Sequence, residues 1–368
     1  MKLRDSFPYE PLRSAFGPVA ALLAVCALPF SSHAAQGDSI GLAAIKSYLV
    51  GKVTTMDQAA HDFQTHAAAY HKILAENSGD YDKAALKDGK ELQELIKGMQ
   101  EDYRIYHNQG YETIEGVTAG VKRFVEFDND LDAGVPKEEA STDSPAANLV
   151  LKSEDGKVIV DHKGNLFHYV IEPTLWRTKP QFVHPLSAAA AEAVAVKELP
   201  RADVLSSASK ELARRLDQLL TLSQAWQPTL DECVGALVWM TPTLNGYFED
   251  WKESRYSPNA ALGRYVAESR VLDMRGIMSS LQLSYKAVMP EIARKDASLA
   301  KHLEQDYARI MSFIDRADAR EKKGNKLTAL EIEEMAFQAK AMTDQLVPKL
   351  KEVVAILSLK LPPKPMLA

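Results

Sequence analysis

Leu149-Val-Leu-Lys-Ser-Glu-Asp-Gly-Lys-Val-Ile-Val160 reads as β structure in a chain whose pattern is otherwise helical. Two short aliphatic runs flank Asp155-Gly156, a dipeptide that supplies the positive φ angles of a tight hairpin turn. A two-stranded hairpin is marginal alone, so this one is expected to lie against helices. It also divides the helical pattern into two parts. Before it, Ile45, Leu49, Val53 and Met56 recur at helical spacing, as do Leu92, Leu95, Ile96, Met99 and Tyr103. Asn77-Ser-Gly-Asp80 separates these two helices, and Asn108-Gln-Gly110 closes the second. After it, helices are expected over 203–224, 228–253, 259–290, 297–323 and 328–358. Asp203 is placed to cap the first of these, and Thr328-Ala-Leu-Glu331 forms a capping box on the last. Pro228, Pro242, Pro258 and Pro290 mark starts or kinks, and the Pro362-Pro-Lys-Pro365 tail is expected to fray.

The expected fold class is all-α, with two antiparallel helical bundles joined by a segment that carries a small β-hairpin. The boundaries drawn are a signal peptide over 1–35, an N-terminal helical part over 36–120, a linker over 121–200 and a C-terminal bundle over 201–360. The signal reading rests on Lys2, Arg4 and Arg13 ahead of an apolar run from Val19 to Phe30, closed by Ser-Ser-His-Ala-Ala35. The run is too short to span a membrane. Cleavage is expected after Ala34 or Ala35, which implies export. Cys26 lies within the apolar run, and Val25 stands where a lipoprotein signal wants a small residue, so lipidation is disfavoured.

Of the 368 residues, 46% are hydrophobic and 26% charged, which describes a globular chain with sizeable cores. The net charge is −6, and no basic stripe is visible, so nucleic acid is not indicated. An acidic balance suits cation binding and suits plain solubility equally. Past the signal, Cys233 is the single cysteine; it sits in an apolar helical stretch and reads as an inert core thiol.

Downstream of the hairpin comes Gly164-Asn-Leu-Phe-His168-Tyr-Val-Ile-Glu172-Pro-Thr-Leu-Trp176. On a helix, His168 and Glu172 share a face with about 5–6 Å between Cβ atoms, close enough for both to reach one metal ion. The plainer alternative is a solvated polar pair. Glu112 and Glu115, three apart, also share a face, either as surface residues or as carboxylates converging on a cation. Iron and zinc accept imidazole together with carboxylate, so Glu112, Glu115, His168 and Glu172 can form a mixed nitrogen–oxygen site.

Other groups are weaker. Asp128, Asp130 and Asp132 fall at positions 1, 3 and 5 of a calcium loop, with Glu139 at position 12, but Ala133 replaces the glycine and Pro136 interrupts. Calcium is therefore disfavoured, and the run reads as a polar turn that can lend Asp128 to the main site. Phe248, Trp251 and Tyr256 are expected to pack inward, with Glu249 and Arg255 either solvated or lining the junction of the two halves. Arg270 and Asp273 read as an intrahelical ion pair. His61, His66 and His71 advance about 140° per step and share no face. The chain has no HExxH, nucleophile elbow, phosphate loop or CxxC, which disfavours a zincin-type hydrolase.

The segment ending in Leu175-Trp176 resembles the signature of the imelysin-like family, which includes EfeO-type periplasmic iron-uptake proteins and imelysin peptidases. Tyr111 to Gly120, Ala225-Trp-Gln-Pro-Thr-Leu230, Asn245 to Arg255 and Ser269 to Ile277 resemble further blocks in the same order. The family places its histidine three before the glutamate. Here that position is Tyr169, and His168 stands one residue earlier. The resemblance implies two helical bundles with a metal site at their junction. It implies a transition-metal cargo, iron foremost with copper or zinc as alternatives. It also implies delivery to an inner-membrane iron permease, with a peroxidase-like partner. The alternatives are an imelysin-type metallopeptidase and a metal-dependent polysaccharide- or polyanion-binding protein.

Overall fold

A computed structural model describes residues 34–141, 144–153, 155–254, 265–324 and 327–364. All but the last two residues of the expected signal peptide lie outside this set, as does Arg255. In chain order the helices begin with α1 (Ala34–Glu76), α2 (Tyr81–Tyr103), α3 (Glu115–Thr118) and α4 (Lys122–Asp128). Strands β1 (Val150–Lys152) and β2 (Val158–Asp161) precede α5 (Glu172–Leu175). Strand β3 (Val183–Pro185), helix α6 (Ala188–Val194) and strand β4 (Glu198–Pro200) follow. The remainder is α7 (Ala202–Ala225), α8 (Leu230–Met240), α9 (Leu244–Asp250), α10 (Arg270–Lys295), α11 (Ala297–Lys322) and α12 (Ala329–Ile356).

The fold is all-α with a small hairpin, as the periodicity predicts. Ile45, Leu49, Val53, Met56, Ala60, Phe63, Ala67, Tyr70 and Leu74 form one buried stripe along α1. Their spacing of three and four is that of a helix with one face in a core. Asp80 caps α2 by accepting from the Lys83 amide, and the Thr328–Glu331 capping box starts α12. The hairpin pairs Leu151 with Val160, both buried, against α7. Gly156 holds φ at +82°, which the turn needs.

The halves are divided differently from the sequence boundaries. Helix α7 packs along α1, which also meets α2, so residues 202–225 belong with the N-terminal helices rather than with a C-terminal bundle. The second bundle comprises α8 to α12, and the N-terminal part of α1 reaches across to α10. A helix of 43 residues is about 64 Å long at 1.5 Å per residue, enough to run past both groups.

Several local expectations are corrected. Arg201, not Asp203, is the N-cap of α7, and Asp203 instead accepts from the Arg201 guanidinium at 3.0 Å. The helix expected over 228–253 is broken at Pro242 into α8, a 3₁₀ turn over Thr241–Thr243, and α9. Helix α10 begins at Arg270, capped by Ser269, and continues through Pro290 to Lys295. The segment drawn as a linker supplies buried core: Leu166, Phe167, Val170, Ile171 and Leu175 are fully enclosed. Strands β3 and β4 pair Val183 with Pro200 and His184 with Leu199, closing a second antiparallel ribbon around α6.

Candidate metal centre

Three short π-helical turns surround the junction of the two halves: Arg104–Asn108, Asn129–Ala133 and Phe167–Ile171. A π turn widens the helix by one residue and re-aims a side chain, and such turns concentrate at functional sites. Here they carry His107, Asp132 and His168 respectively. Glu112 comes from the 3₁₀ turn Tyr111–Thr113, so the donors are delivered by four separate turns. Glycines permit the close approach. Ser280 Oγ accepts from the Gly116 amide at 3.0 Å, and a Cβ at Gly116 would stand 2.5 Å from the Leu281 nitrogen. This contact seats α3 on α10.

His107, Glu112, Asp132 and His168 each offer one ligand atom, and all four atoms lie within 4.8 Å of one another. His107 Nε2 is 3.1 Å from Asp132 Oδ1 and 3.4 Å from Glu112 Oε1. His168 Nε2 is 3.0 Å from the same Asp132 oxygen, yet it lies off the direction of a ring N–H bond and has no hydrogen-bond partner. His168 Nδ1 is 2.9 Å from Glu172 Oε2. With Nδ1 protonated, as that contact favours, Nε2 is the nitrogen turned toward the cluster, and loss of its proton would present a lone pair there. The other oxygen of Glu112 is also buried without a partner. His107 Nε2 and Asp132 Oδ1 hydrogen-bond each other, while His168 Nε2 and the second Glu112 oxygen stay unpartnered beside them, and this set of imidazole and carboxylate donors matches the chemistry of a mixed cation site.

Glu172 has a different environment. Oε1 accepts from the amides of Val266 and Ala267, both at 2.6 Å, and Oε2 from that of Tyr265 at 3.1 Å. Its carboxylate therefore ties the chain leading into α10 to the outer nitrogen of His168. Behind His107 stands an aromatic wall, with the Tyr103 ring stacked at 5.0 Å and the Phe167 ring edge-on at 4.9 Å. Arg270 is sandwiched between Tyr247 and Tyr265, 4.5 and 4.2 Å from their ring centres. It pairs with Glu112 at 3.2 Å and Asp273 at 3.1 Å. Asn108 donates to the second oxygen of Asp273.

The electrostatics follow from burying so many acids together. Burial, and then the charge of Asp273, push the Glu112 carboxyl well above its ordinary range, while Arg270 opposes the shift. Burial and the neighbouring Glu112 do the same to Glu115. Burial and Asp132 carry Asp128 to about 7. Asp132 goes the other way: burial would raise it, but His168 and His107 hold it well below the usual carboxylate range. Burial would lower His168, yet Asp132 and Glu172 on its two nitrogens bring it to about 10.

A cleft of about 380 Å³ opens beside Asp132 and Arg270, with Asp128, Asn165, Tyr169, Tyr247 and Asp250 along it. Asp128 and Asp132 line it, and with the buried Glu115 they form an acidic group that shares Asp132 with the first cluster. Tyr247 donates to Glu115 at 3.1 Å and Tyr111 to Asp128 at 2.9 Å.

The sequence-derived candidates are thus distributed unevenly. His168 and Glu112 meet in the cluster, while Glu115 and Asp128 sit on its acidic flank and Glu172 behind His168. Glu112 and Glu115 are both buried. Glu249 is exposed, and it is Tyr247 and Asp250 of the same helix that line the cleft. Phe248 and Trp251 pack inward as expected. The Arg270–Asp273 pair forms and extends to Glu112. Sequence reasoning missed His107 altogether and met Asp132 only within the calcium-like run. His107 lies five residues before Glu112, which on a regular helix would turn it away; the break at Gly110 returns it. Cys233 is buried, and its thiol is pushed up to about 12 by burial and the nearby Glu232. No described helix is long and apolar enough to cross a membrane. No protein-family model matches the chain, and no curated protein matches it either.

Proposed function

We propose that this protein binds a transition-metal cation, iron foremost, at His107, Glu112, Asp132 and His168. On this reading it is exported to the periplasm and hands the ion to a membrane permease, in the manner of the imelysin-like, EfeO-type proteins its motifs resemble. One observation carries the reading: two imidazole nitrogens and two carboxylate oxygens from four turns converge within 4.8 Å. Glu172 then acts as the carboxylate that orients a metal-bound histidine through its outer nitrogen. Glu115 and Asp128 lower the potential along the approach, and Arg270 limits the excess of negative charge. Capture exchanges the protons of raised-pKa groups for a cation, so acid weakens binding.

Calorimetric titration with Fe(III)-citrate, Fe(II), Cu(II), Zn(II) and Ca(II) tests this, alongside His168→Ala/Asp132→Asn. The expected result is a tight iron- or copper-binding event that the double variant loses. The same number of binding events in variant and wild type, or none tighter than millimolar, would remove the proposal. The cleft beside Asp132 is roomy enough to admit a peptide segment, which favours one second reading, an imelysin-type metallopeptidase. Zinc-dependent cleavage of a peptide library, lost in Glu112→Gln, would establish it in place of transport.

A further inference from the structure

A second group of metal-ligating side chains lies on the seam between α1 and α7, built from none of the residues above. Asp57 and His61 stand four apart on α1, on one face. Asp217 faces them from α7, with its Oδ1 3.3 Å from His61 Nε2. The helices run antiparallel here: Tyr70, two and a half turns beyond His61, donates to the carbonyl of Pro200, just ahead of α7. The three donor atoms all lie within 4.8 Å of one another. Asp57 Oδ1 is shut off from solvent and has no hydrogen-bond partner. Among the described residues no lysine or arginine pairs with Asp57 or Asp217. Two carboxylates and an imidazole are therefore held together across a helix seam, His61 hydrogen-bonded to Asp217 and no lysine or arginine between them among the described residues. Burial, and then repulsion by Asp217, push the Asp57 carboxyl up, as expected where a cation would relieve the crowding.

We propose that Asp57, His61 and Asp217 form a second divalent transition-metal site, which clamps α1 to α7. One imidazole with two carboxylates suits Zn(II), Cu(II) or Ni(II) rather than calcium or magnesium, which prefer all-oxygen shells. His61 and Asp217 keep 44% and 58% of their side-chain surface exposed, so water completes the coordination and the ion enters directly from solvent. The helical spacing of His61, His66 and His71 shows no shared face, and the partner of His61 is 156 positions away.

The test uses the full chain and Zn(II) and Cu(II) titrations of wild type, His61→Ala, Asp132→Asn and the two combined. In Asp132→Asn one Zn(II) event persists and raises the unfolding midpoint. Adding His61→Ala weakens that event by about tenfold or more and abolishes the midpoint shift, a factor worth about 1.4 kcal/mol. Pulsed EPR of Cu(II) on Asp132→Asn shows a single imidazole nitrogen. Should Asp132→Asn fail to fold, His61→Ala in the wild-type background removes one of two events. Zn(II) binding and midpoint shift unchanged by His61→Ala would overturn the clamp. A wild type with one event, lost in His61→Ala, would keep the clamp and sink the central site.

Discussion

Replacing Glu172 by glutamine probes how the central histidine is held. The carboxylate is 1% exposed and receives three backbone amides as well as facing His168 Nδ1. A carboxamide keeps its oxygen on Val266 and Ala267, which turns its NH₂ toward His168 Nδ1 and the Tyr265 amide. The Tyr265 donor then meets a donor. The imidazole must also accept at Nδ1, which moves its proton to Nε2, where a metal lone pair is needed. Two hydrogen bonds to a charged acceptor are lost, at roughly 1.5–3 kcal/mol each before relaxation. A net destabilisation of about 3 kcal/mol is expected in the metal-free protein. Removing the partner behind a ligating histidine typically weakens metal affinity by about 10–100-fold, equivalent to ~1.4–2.7 kcal/mol. Competition titration against a chelator measures this, with His168→Ala beside it and circular dichroism to verify folding. Affinity equal to wild type would refute the orienting role. Complete loss in a folded variant, matching His168→Ala, would make Glu172 a ligand itself.

Further outcomes follow from the same geometry. His168, with its pKa near 10, holds a proton at neutral pH that it must release to ligate, and Glu112 is raised in the same sense. Metal titrations at pH 7 in buffers of different ionisation enthalpy should therefore report release of about one proton or more per ion, and affinity should fall as pH drops; proton-neutral binding would contradict this. Arg270→Met leaves Glu112 and Asp273 buried without their cation, which should cost about 3–5 kcal/mol in chemical denaturation, partly recovered by bound metal. Gly116→Ala forces a Cβ against the α10 backbone; a loss of roughly 1–3 kcal/mol is expected, and an unchanged denaturation midpoint would show that the approach is not tight.

The helices were legible because their cores are periodic. The stripe from Ile45 to Leu74 and the capping box at Thr328 are local signals, and the hairpin turn at Asp155-Gly156 is another. The pairing of α7 with α1 was not legible, since amphipathic faces do not say which distant face they meet. At the site, His168 with Glu172 was visible at helical spacing, and so were the two glutamates. His107 and Asp132 were hidden because π turns break the regular rule of which residues share a face. The role of Glu172 was hidden too, because its partners are backbone amides 93 to 95 residues away.

The most direct measurement is an anomalous difference map from crystals of the iron- or copper-loaded protein, recorded at the metal edge. The account predicts a peak about 2.0–2.2 Å from nitrogens of His107 and His168 and from oxygens of Glu112 and Asp132, with Glu172 outside the coordination sphere. No peak among these four side chains, or an ion held there by Glu172 and not by the histidines, would contradict it.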